Sequence, residues 1–331
     1  MSRERAFSGV QPTGSLHLGN YLGALKPWVA HQAERENLFC VVDLHALTIP
    51  EAIEPDALRH RSRAVAAAYL AAGIDPAVSH IFIQSHVREH SELAWVLNCV
   101  TPLGWLERMT QFKTKAEGRE TVGTGLLDYP VLQAADILLY DAAVVPVGED
   151  QRQHIELTRD IAQRFNNMFG EVLVVPRLSL PAAGARVMGF DEPTVKMSKS
   201  IAEQRPHHAV SLLDAPKKIR KTISKAVTDS GCVYDPAEAS AGVLNLMGVL
   251  SAVSGEPVDA IARRFAGQGY GYLKVAVADA VIAELEPFQA EYARLMGDAA
   301  YLDGILASAT EHVRSIAEAT MTRVRAAVGI G

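Results

Sequence analysis

Two short segments, far apart in the chain, carry the residue types needed to handle a triphosphate. Near the N-terminus the apolar run Ala6–Val10 leads into Gln11-Pro12-Thr13-Gly14 and then Ser15-Leu16-His17-Leu18-Gly19-Asn20. This pattern predicts a strand, a tight turn and a helix starting near Ser15. Free N–H groups and the helix dipole favour an anion at that place, the carboxyl end of a strand. His17 can donate to a phosphate oxygen, and Gly14 and Gly19 keep side chains away from a ligand pressed on the backbone. By itself the same stretch also fits a glycine-containing turn with a surface histidine. Much later, Lys196-Met197-Ser198-Lys199-Ser200 follows the turn-rich Asp191-Glu192-Pro193-Thr194, which predicts an exposed, mobile loop. Two ammonium groups there would stabilise charge growing on departing pyrophosphate. A solvated basic loop is the plainer reading of that pentamer alone. Together the two segments describe a site that grips a nucleoside triphosphate from both sides.

The elements that must position them follow from the hydrophobic pattern. Candidate strands at Ala6–Val10, Leu38–Val42, Ile81–Gln84, Val144–Val147 and Val172–Val175 alternate with amphipathic stretches such as Ala57–Leu70 and Gln151–Phe165. That alternation predicts an α/β fold with a Rossmann-like parallel sheet in residues 1–205. Residues 206–331 read as a mostly helical second domain, with helices at Ser211–Val227, Ala241–Val253, Val258–Phe265, Ala276–Met296 and Leu302–Val328. The last of these is expected to pack back on the first domain.

Composition narrows the class. The 331 residues are 49% hydrophobic and 21% charged with a net charge of −6, so nucleic acid can be attracted only by a local basic patch. Three widely spaced cysteines, Cys40, Cys99 and Cys232, argue against a disulfide framework or a cysteine-type metal site, and fit a reducing compartment. Met1–Arg5 lacks an apolar leader, and no run of 18 apolar residues occurs. The expectation is a cytoplasmic protein with no membrane association and no protein-bound metal.

His17-Leu18-Gly19-Asn20 and Lys196–Ser200 resemble the HIGH and KMSKS signatures of class I aminoacyl-tRNA synthetases, the first with asparagine as its last residue. Gly9–Gly14, Glu107–Lys113 and the long run from Val147 to Arg159 resemble the bacterial tryptophanyl-tRNA synthetases, as does Gly269-Tyr270-Gly271. The resemblance covers nearly the whole chain. It implies ATP contacts from Gln11, Pro12, Thr13, Gly19, Asn20, Met197, Ser198 and Ser200, with Gly148, Glu149 and Asp150 at the adenosine end and Val187 beside adenine. His17, Lys115, Lys196 and Lys199 would be catalytic, serving the phosphates together with Mg2+. Tryptophan would lie among Phe7, His45, Tyr129, Gln133, Asp136, Val145, Val147 and Gln151. Partners implied are L-tryptophan, ATP, tRNA(Trp) and a second copy of the chain.

Within that resemblance, Tyr129-Pro130-Val131-Leu132-Gln133-Ala134-Ala135-Asp136 bears on the amino acid chosen. Pro130 suits a first helical position, placing Tyr129 at the helix mouth and Gln133 and Asp136 on one face. An indole N–H only donates, so an ionised carboxylate is its natural reader. Tyrosyl-tRNA synthetases share this spacing and are the nearest alternative. Phe7, which stands where those enzymes resemble one another in carrying a tyrosine, offers no hydroxyl to a phenol. A regulatory, non-catalytic relative is the other alternative. His86-Val87-Arg88-Glu89-His90 matches an inverted zinc-protease pattern but follows a strand directly, and is read as exposed polar residues on a loop. Lys217, Lys218, Arg220, Lys221 and Lys225 form a basic run that reads either as a solvated helix face or as a tRNA contact.

Overall fold

Strand-length apolar runs separated by helical stretches pair here as the alternation requires. The computed structural model describes residues 3–12, 16–118, 120–148, 151–179 and 186–331, without the side chains of Lys199 and Ser200. Thr13, Gly14, Ser15, Glu149 and Asp150 therefore lie outside the described residues. In chain order, β1 (Arg5–Val10) is followed by α1 (Leu18–Asn20), which passes through a wide turn at Tyr21–Leu25 into α2 (Lys26–His31). Then come β2 (Glu36–Val41), α3 (Pro55–Ala71), β3 (Ser79–Ile83), α4 (Glu89–Val100), α5 (Leu103–Glu107), α6 (Thr110–Ala116) and α7 (Thr124–Leu138). The sheet is completed by β4 (Val144–Pro146), α8 (Arg152–Phe169) and β5 (Arg177–Ser179). Helices follow: α9 (Lys199–Gln204), α10 (Pro216–Ser224), α11 (Ala241–Ser254), α12 (Val258–Phe265), α13 (Tyr270–Gly297) and α14 (Ala299–Val328).

All pairings are parallel and the strand order is β3-β2-β1-β4-β5. Alternation along β2 sorts its residues to the two faces. Phe39 and Val41 join Ile81, Ile83 and α3 in one core, which runs on into α11 and α13. Leu38, Cys40 and Val42 join Phe7 and Phe82 in the other, covered by α4, α7, α8 and the second half of α14. Burial on both faces is what an all-parallel sheet demands. Strand β3 is an edge, and α14 lies along it. No single helix among the described residues is long and apolar enough to cross a membrane.

Three expectations from sequence need correction. Val172–Val175 is not a strand; the fifth strand is Arg177–Ser179. The reason is Asn166, whose Oδ1 accepts from Val172 N at 3.1 Å and Leu173 N at 2.9 Å while its Nδ2 donates to Leu173 O at 2.8 Å. A side chain thus occupies the groups a ladder would have used. Pro130 does not open its helix but sits inside α7, which is capped at Gly123. The extra turn is held by buried Leu126 and Tyr129 and by Asn98 Nδ2 donating to Asp128 Oδ2 at 2.9 Å, which offset the bond that proline cannot make. Residues 211–215 are not helical, because their backbone is bonded elsewhere. Leu212 N donates to Leu16 O at 3.0 Å, Asp214 Oδ2 accepts from Ser211 N at 3.0 Å, and Pro216 then opens α10.

Asn166 generates a test. Asn166→Ala removes four hydrogen bonds, three of them to the backbone of Val172 and Leu173, and leaves those groups unsatisfied, so urea unfolding should show a loss of about 2–4 kcal/mol. An unchanged midpoint would mean that water replaces the amide without cost.

Candidate active site

The two signature segments, remote in sequence, touch. His17 is the N-cap of α1, and its backbone pairs antiparallel with Ser211; Leu18 N donates to Val210 O at 2.9 Å. The helix therefore starts at Leu18 rather than near Ser15, with Asn20 Oδ1 accepting from His17 N at 3.1 Å. Gly19 lets the His17 ring lie over its backbone. A Cβ there would stand 3.0 Å from His17 Nδ1 and 3.5 Å from the Cβ of Met197. Backbone and imidazole of the first segment thus lie directly against the second.

The lysine segment is more ordered than an open loop. Lys196 pairs antiparallel with Met188, Gly189 N donates to Val195 O at 2.8 Å, and Met197 N donates to Val187 O at 3.1 Å. Met197 is buried at 2% exposure, and α9 begins at Lys199. The apolar methionine anchors a stretch that its flanking lysines would have left in solvent. Asn245, on α11, fixes the other strand of this turn by bonding Met188 N at 2.9 Å and Met188 O at 3.0 Å. Buried His208 adds a bond from Nδ1 to Asp191 Oδ1 at 2.7 Å and reaches Lys196 O at 3.3 Å. The Lys196 side chain remains exposed.

Burial lowers the pKa of His17 to about 4, assisted by the positive fields of Lys196 and His208. The ring is neutral at pH 7. Among the described residues, its Nδ1 and the hydroxyl of Ser198 are buried polar atoms without a hydrogen-bond partner, one in each signature segment. Such orphans are rare in folded chains and mark places where a polar ligand fits. Nearby, Pro12 is buried while Gln11 and Gly148 are exposed. Val187 lines a cavity of about 300 Å³ with Arg186, Met188, Pro193, Leu244 and Asn245.

A second constellation centres on Asp136, 1% exposed on α7. Its Oδ2 accepts from His45 Nε2 at 2.8 Å; its Oδ1 accepts from Gln84 Nε2 at 2.6 Å and His90 Nδ1 at 2.7 Å. Burial pushes this carboxyl up, but the bonds and charge of His45 and His90 outweigh it and hold the pKa well below the ordinary range. Asp136 is therefore an anion at neutral pH. Burial pushes the pKa of Tyr140 far up, and its hydroxyl bonds His90 Nε2 at 2.7 Å, holding the ring whose Nδ1 bonds Asp136. Phe7 stacks on Tyr140 with centroids 5.9 Å apart. Tyr129 bonds His154 Nε2 at 3.0 Å and Gln111 Oε1 at 3.3 Å, and Lys115 Nζ sits 4.8 Å above its ring. Desolvation lowers the Lys115 pKa.

Sequence reading thus brought together Phe7, His45, Tyr129, Asp136 and Lys115. Val145 is buried on β4, beside β1; Gln133, Val147 and Gln151 are half-buried, the last as N-cap of α8. His90, Gln84, Tyr140 and His154 were missed. The reading of His86–His90 as exposed loop is wrong at its end: Glu89 opens α4, and His90 is 0% exposed. The signal was present, because His90, Leu93, Ala94 and Leu97 fall at i, i+3, i+4 and i+7, the buried stripe of a helix. In the basic run, Lys218 pairs with Asp214 at 2.7 Å and Arg220 with Asp279, whereas Lys217, Lys221 and Lys225 are exposed and have no ion pair among the described residues.

A parallel sheet with a triphosphate-type turn, a lysine segment closing on it and a buried anion beyond is the arrangement of a class I synthetase. The chain belongs to the family described as tRNA synthetases class I (W and Y), whose model matches residues 2–286. It is 52% identical over 330 residues to a tryptophan–tRNA ligase of Thermosynechococcus vestitus, covering 97% of this chain and 98% of that one. Its likeness to the tryptophan–tRNA ligase of Wolinella succinogenes is 48% over the full length of both. Among solved structures, the tryptophanyl-tRNA synthetase of Campylobacter jejuni, complexed with ADP and tryptophan, superposes with a TM-score of 0.85 at 35% identity, covering 98% of this chain and 100% of that one. The tyrosyl-tRNA synthetase of Archaeoglobus fulgidus, at 21% identity and a TM-score of 0.68 over 88% of this chain and 90% of that one, shares the fold.

His17 supplies a titration with a definite sign. Its ring resonances should move with a midpoint about 4, well below the ordinary 6.5. Because the folded value is the lower one, the neutral ring contributes stability above about pH 6.5 that is lost as pH falls from there to about 4. His17→Gln should flatten stability against pH across that window. A histidine titrating near 6.5 in the NMR spectrum of the native protein, absent from the variant, would contradict the buried, cation-flanked position.

Proposed function

We propose that the chain acts as a tryptophan–tRNA ligase in which Asp136 reads the indole. It activates L-tryptophan with ATP and transfers it to tRNA(Trp). In the first step a carboxylate oxygen of tryptophan bonds to the α-phosphorus of ATP as the bond to pyrophosphate breaks, giving tryptophanyl-adenylate. In the second, a terminal ribose hydroxyl of the tRNA attacks the activated carbonyl and AMP leaves.

The observation that carries the choice of amino acid is the state of Asp136. An ionised carboxylate offers about four acceptor positions. His45, Gln84 and His90 take three, two of them on Oδ1, leaving one on Oδ2. A single N–H donor such as that of indole completes the set. Phe7, packed on Tyr140 without a hydroxyl, favours tryptophan over tyrosine. Gln133, Tyr129, Val145, Val147 and Gln151 would complete the walls of this pocket.

At the other end, neutral His17 can give a hydrogen bond to phosphate without carrying charge. The unpartnered Ser198 hydroxyl, with Met197 and Ser200, suits the same ligand. Lys196, Lys199 and Lys115 would serve the departing pyrophosphate. Removing one such transition-state contact typically slows chemistry by about two decades. Gln11, Pro12, Thr13, Gly19 and Asn20 would lie along the triphosphate, which enters as its magnesium complex. Gly148, Glu149, Asp150 and Val187 would hold the adenosine. We assign catalysis to residues 1–205 and tRNA recognition largely to 206–331. A cytoplasmic homodimer agrees with three free cysteines and with exposed Trp95 (71%) and Leu103 (59%) near one another in sequence.

ATP–pyrophosphate exchange tests the amino acid. Exchange should depend on tryptophan and be absent with tyrosine. Asp136→Asn should raise the KM for tryptophan at least tenfold with little change for ATP, because the amide turns a donor toward the indole. Equal kinetics in the variant would remove Asp136 from its role.

Lys217, Lys221 and Lys225 recur at four-residue spacing and share one exposed stripe of α10 and its C-cap. Neutralising these three should weaken tRNA binding and reduce its log–log salt slope by roughly 2–3, at about 0.7–0.9 per phosphate contact, with adenylate formation intact. Unaltered slope and aminoacylation would assign the stripe to solvent.

A further inference from the structure

We propose that Glu36, His80 and His312 form a site for a divalent transition-metal ion of the zinc, nickel or cobalt class. The three residues come from three elements: Glu36 opens β2, His80 lies on β3 opposite Leu38, and His312 stands on α14. Their ligand atoms lie within 4.8 Å of one another. His312 Nε2 is 2.9 Å from Glu36 Oε1, and the two imidazoles stack with centroids 3.9 Å apart and planes 18° from parallel. Arg5 bonds the other oxygen, Oε2, at 3.0 Å, which turns Oε1 toward the histidines.

The donor set decides the ion. Two imidazoles and one carboxylate suit zinc, nickel, cobalt or copper and are poor for magnesium or calcium, which take oxygen ligands. Tetrahedral zinc, with bonds of about 2.0–2.1 Å, needs ligand atoms about 3.4 Å apart. The Glu36–His312 pair, hydrogen-bonded at 2.9 Å, lies just inside that spacing, and the His312 side chain, 44% exposed, can rotate to unstack from His80 and open the pair to an ion. Arg5 lowers the affinity by competing for the carboxylate, although part of its charge is directed to Asp141 at 4.0 Å. Beside the histidines a groove of about 550 Å³, lined in part by Pro76, Ala77, Tyr301 and Ser308, leaves room for a water as fourth ligand.

The position makes the site structural. Glu36 and His80 stand at the amino ends of their parallel strands, away from the carboxyl ends where nucleotide binds in such sheets. An ion there would tie α14 to the β3 edge.

The test uses the full chain, stripped with EDTA and dialysed, then titrated calorimetrically with Zn2+ and Ni2+. One saturable ion per chain with a micromolar Kd is expected, together with a higher thermal midpoint. Cobalt should give the visible absorption of a tetrahedral site. His80→Ala and His312→Ala should each weaken binding at least tenfold, and His31→Ala, at a separate exposed histidine–glutamate pair, should leave it unchanged. Because His312 is largely on the surface, its variant should keep the native circular dichroism. Absence of saturable binding at 100-fold the micromolar range, or binding that survives the His80→Ala/His312→Ala double variant, would overturn the assignment.

Discussion

The His17 turn and the lysine segment meet at residue 19, whose missing side chain leaves room for the imidazole. With only hydrogen at Gly19, the imidazole of His17 folds over the backbone and Met197 packs against it. Everything that gives the site its charge pattern depends on this closeness. Lys196 and His208 act on His17 only because the three are neighbours, and a ring held neutral is a donor that does not compete with the lysines for anionic charge. Two weak sequence signals become one site where the turn and the lysine segment touch.

The far end of the pocket is built on a different principle. Asp136 is a buried charge, costly in isolation, and it is held by three donors from three separate elements. His45 follows β2, Gln84 follows β3, and His90 lies in the first turn of α4, so the parallel strands deliver their partners to one point at their carboxyl ends. Tyr140 and Phe7 extend the network into the core. The carboxylate is thereby fixed in direction, with its remaining acceptor position on Oδ2.

How much of this was legible follows from the range of each interaction. Alternating strands and helices, and both signature segments, are local patterns, and they were readable. The pairing of Leu16–Leu18 with Val210–Leu212 was not, because a backbone bridge between a turn and a distant irregular segment leaves no periodicity. The misplacement of the fifth strand has a similar origin: Val172–Val175 has strand-like residues, but an asparagine six or seven residues earlier takes their hydrogen bonds. His90 is the instructive case. A motif match drew attention to its spacing from His86, while the apolar period running forward to Leu97 carried the correct information.

The course of α14 along β3 has a consequence for how the protein comes into being. Ala309, Val313, Ala317, Met321 and Val324 close the core over a sheet whose own strands were made much earlier. At synthesis rates of about 5–20 residues per second, the interval between β3 and this helix leaving the ribosome is on the order of tens of seconds. For that time an apolar sheet edge stands uncovered on a nascent chain.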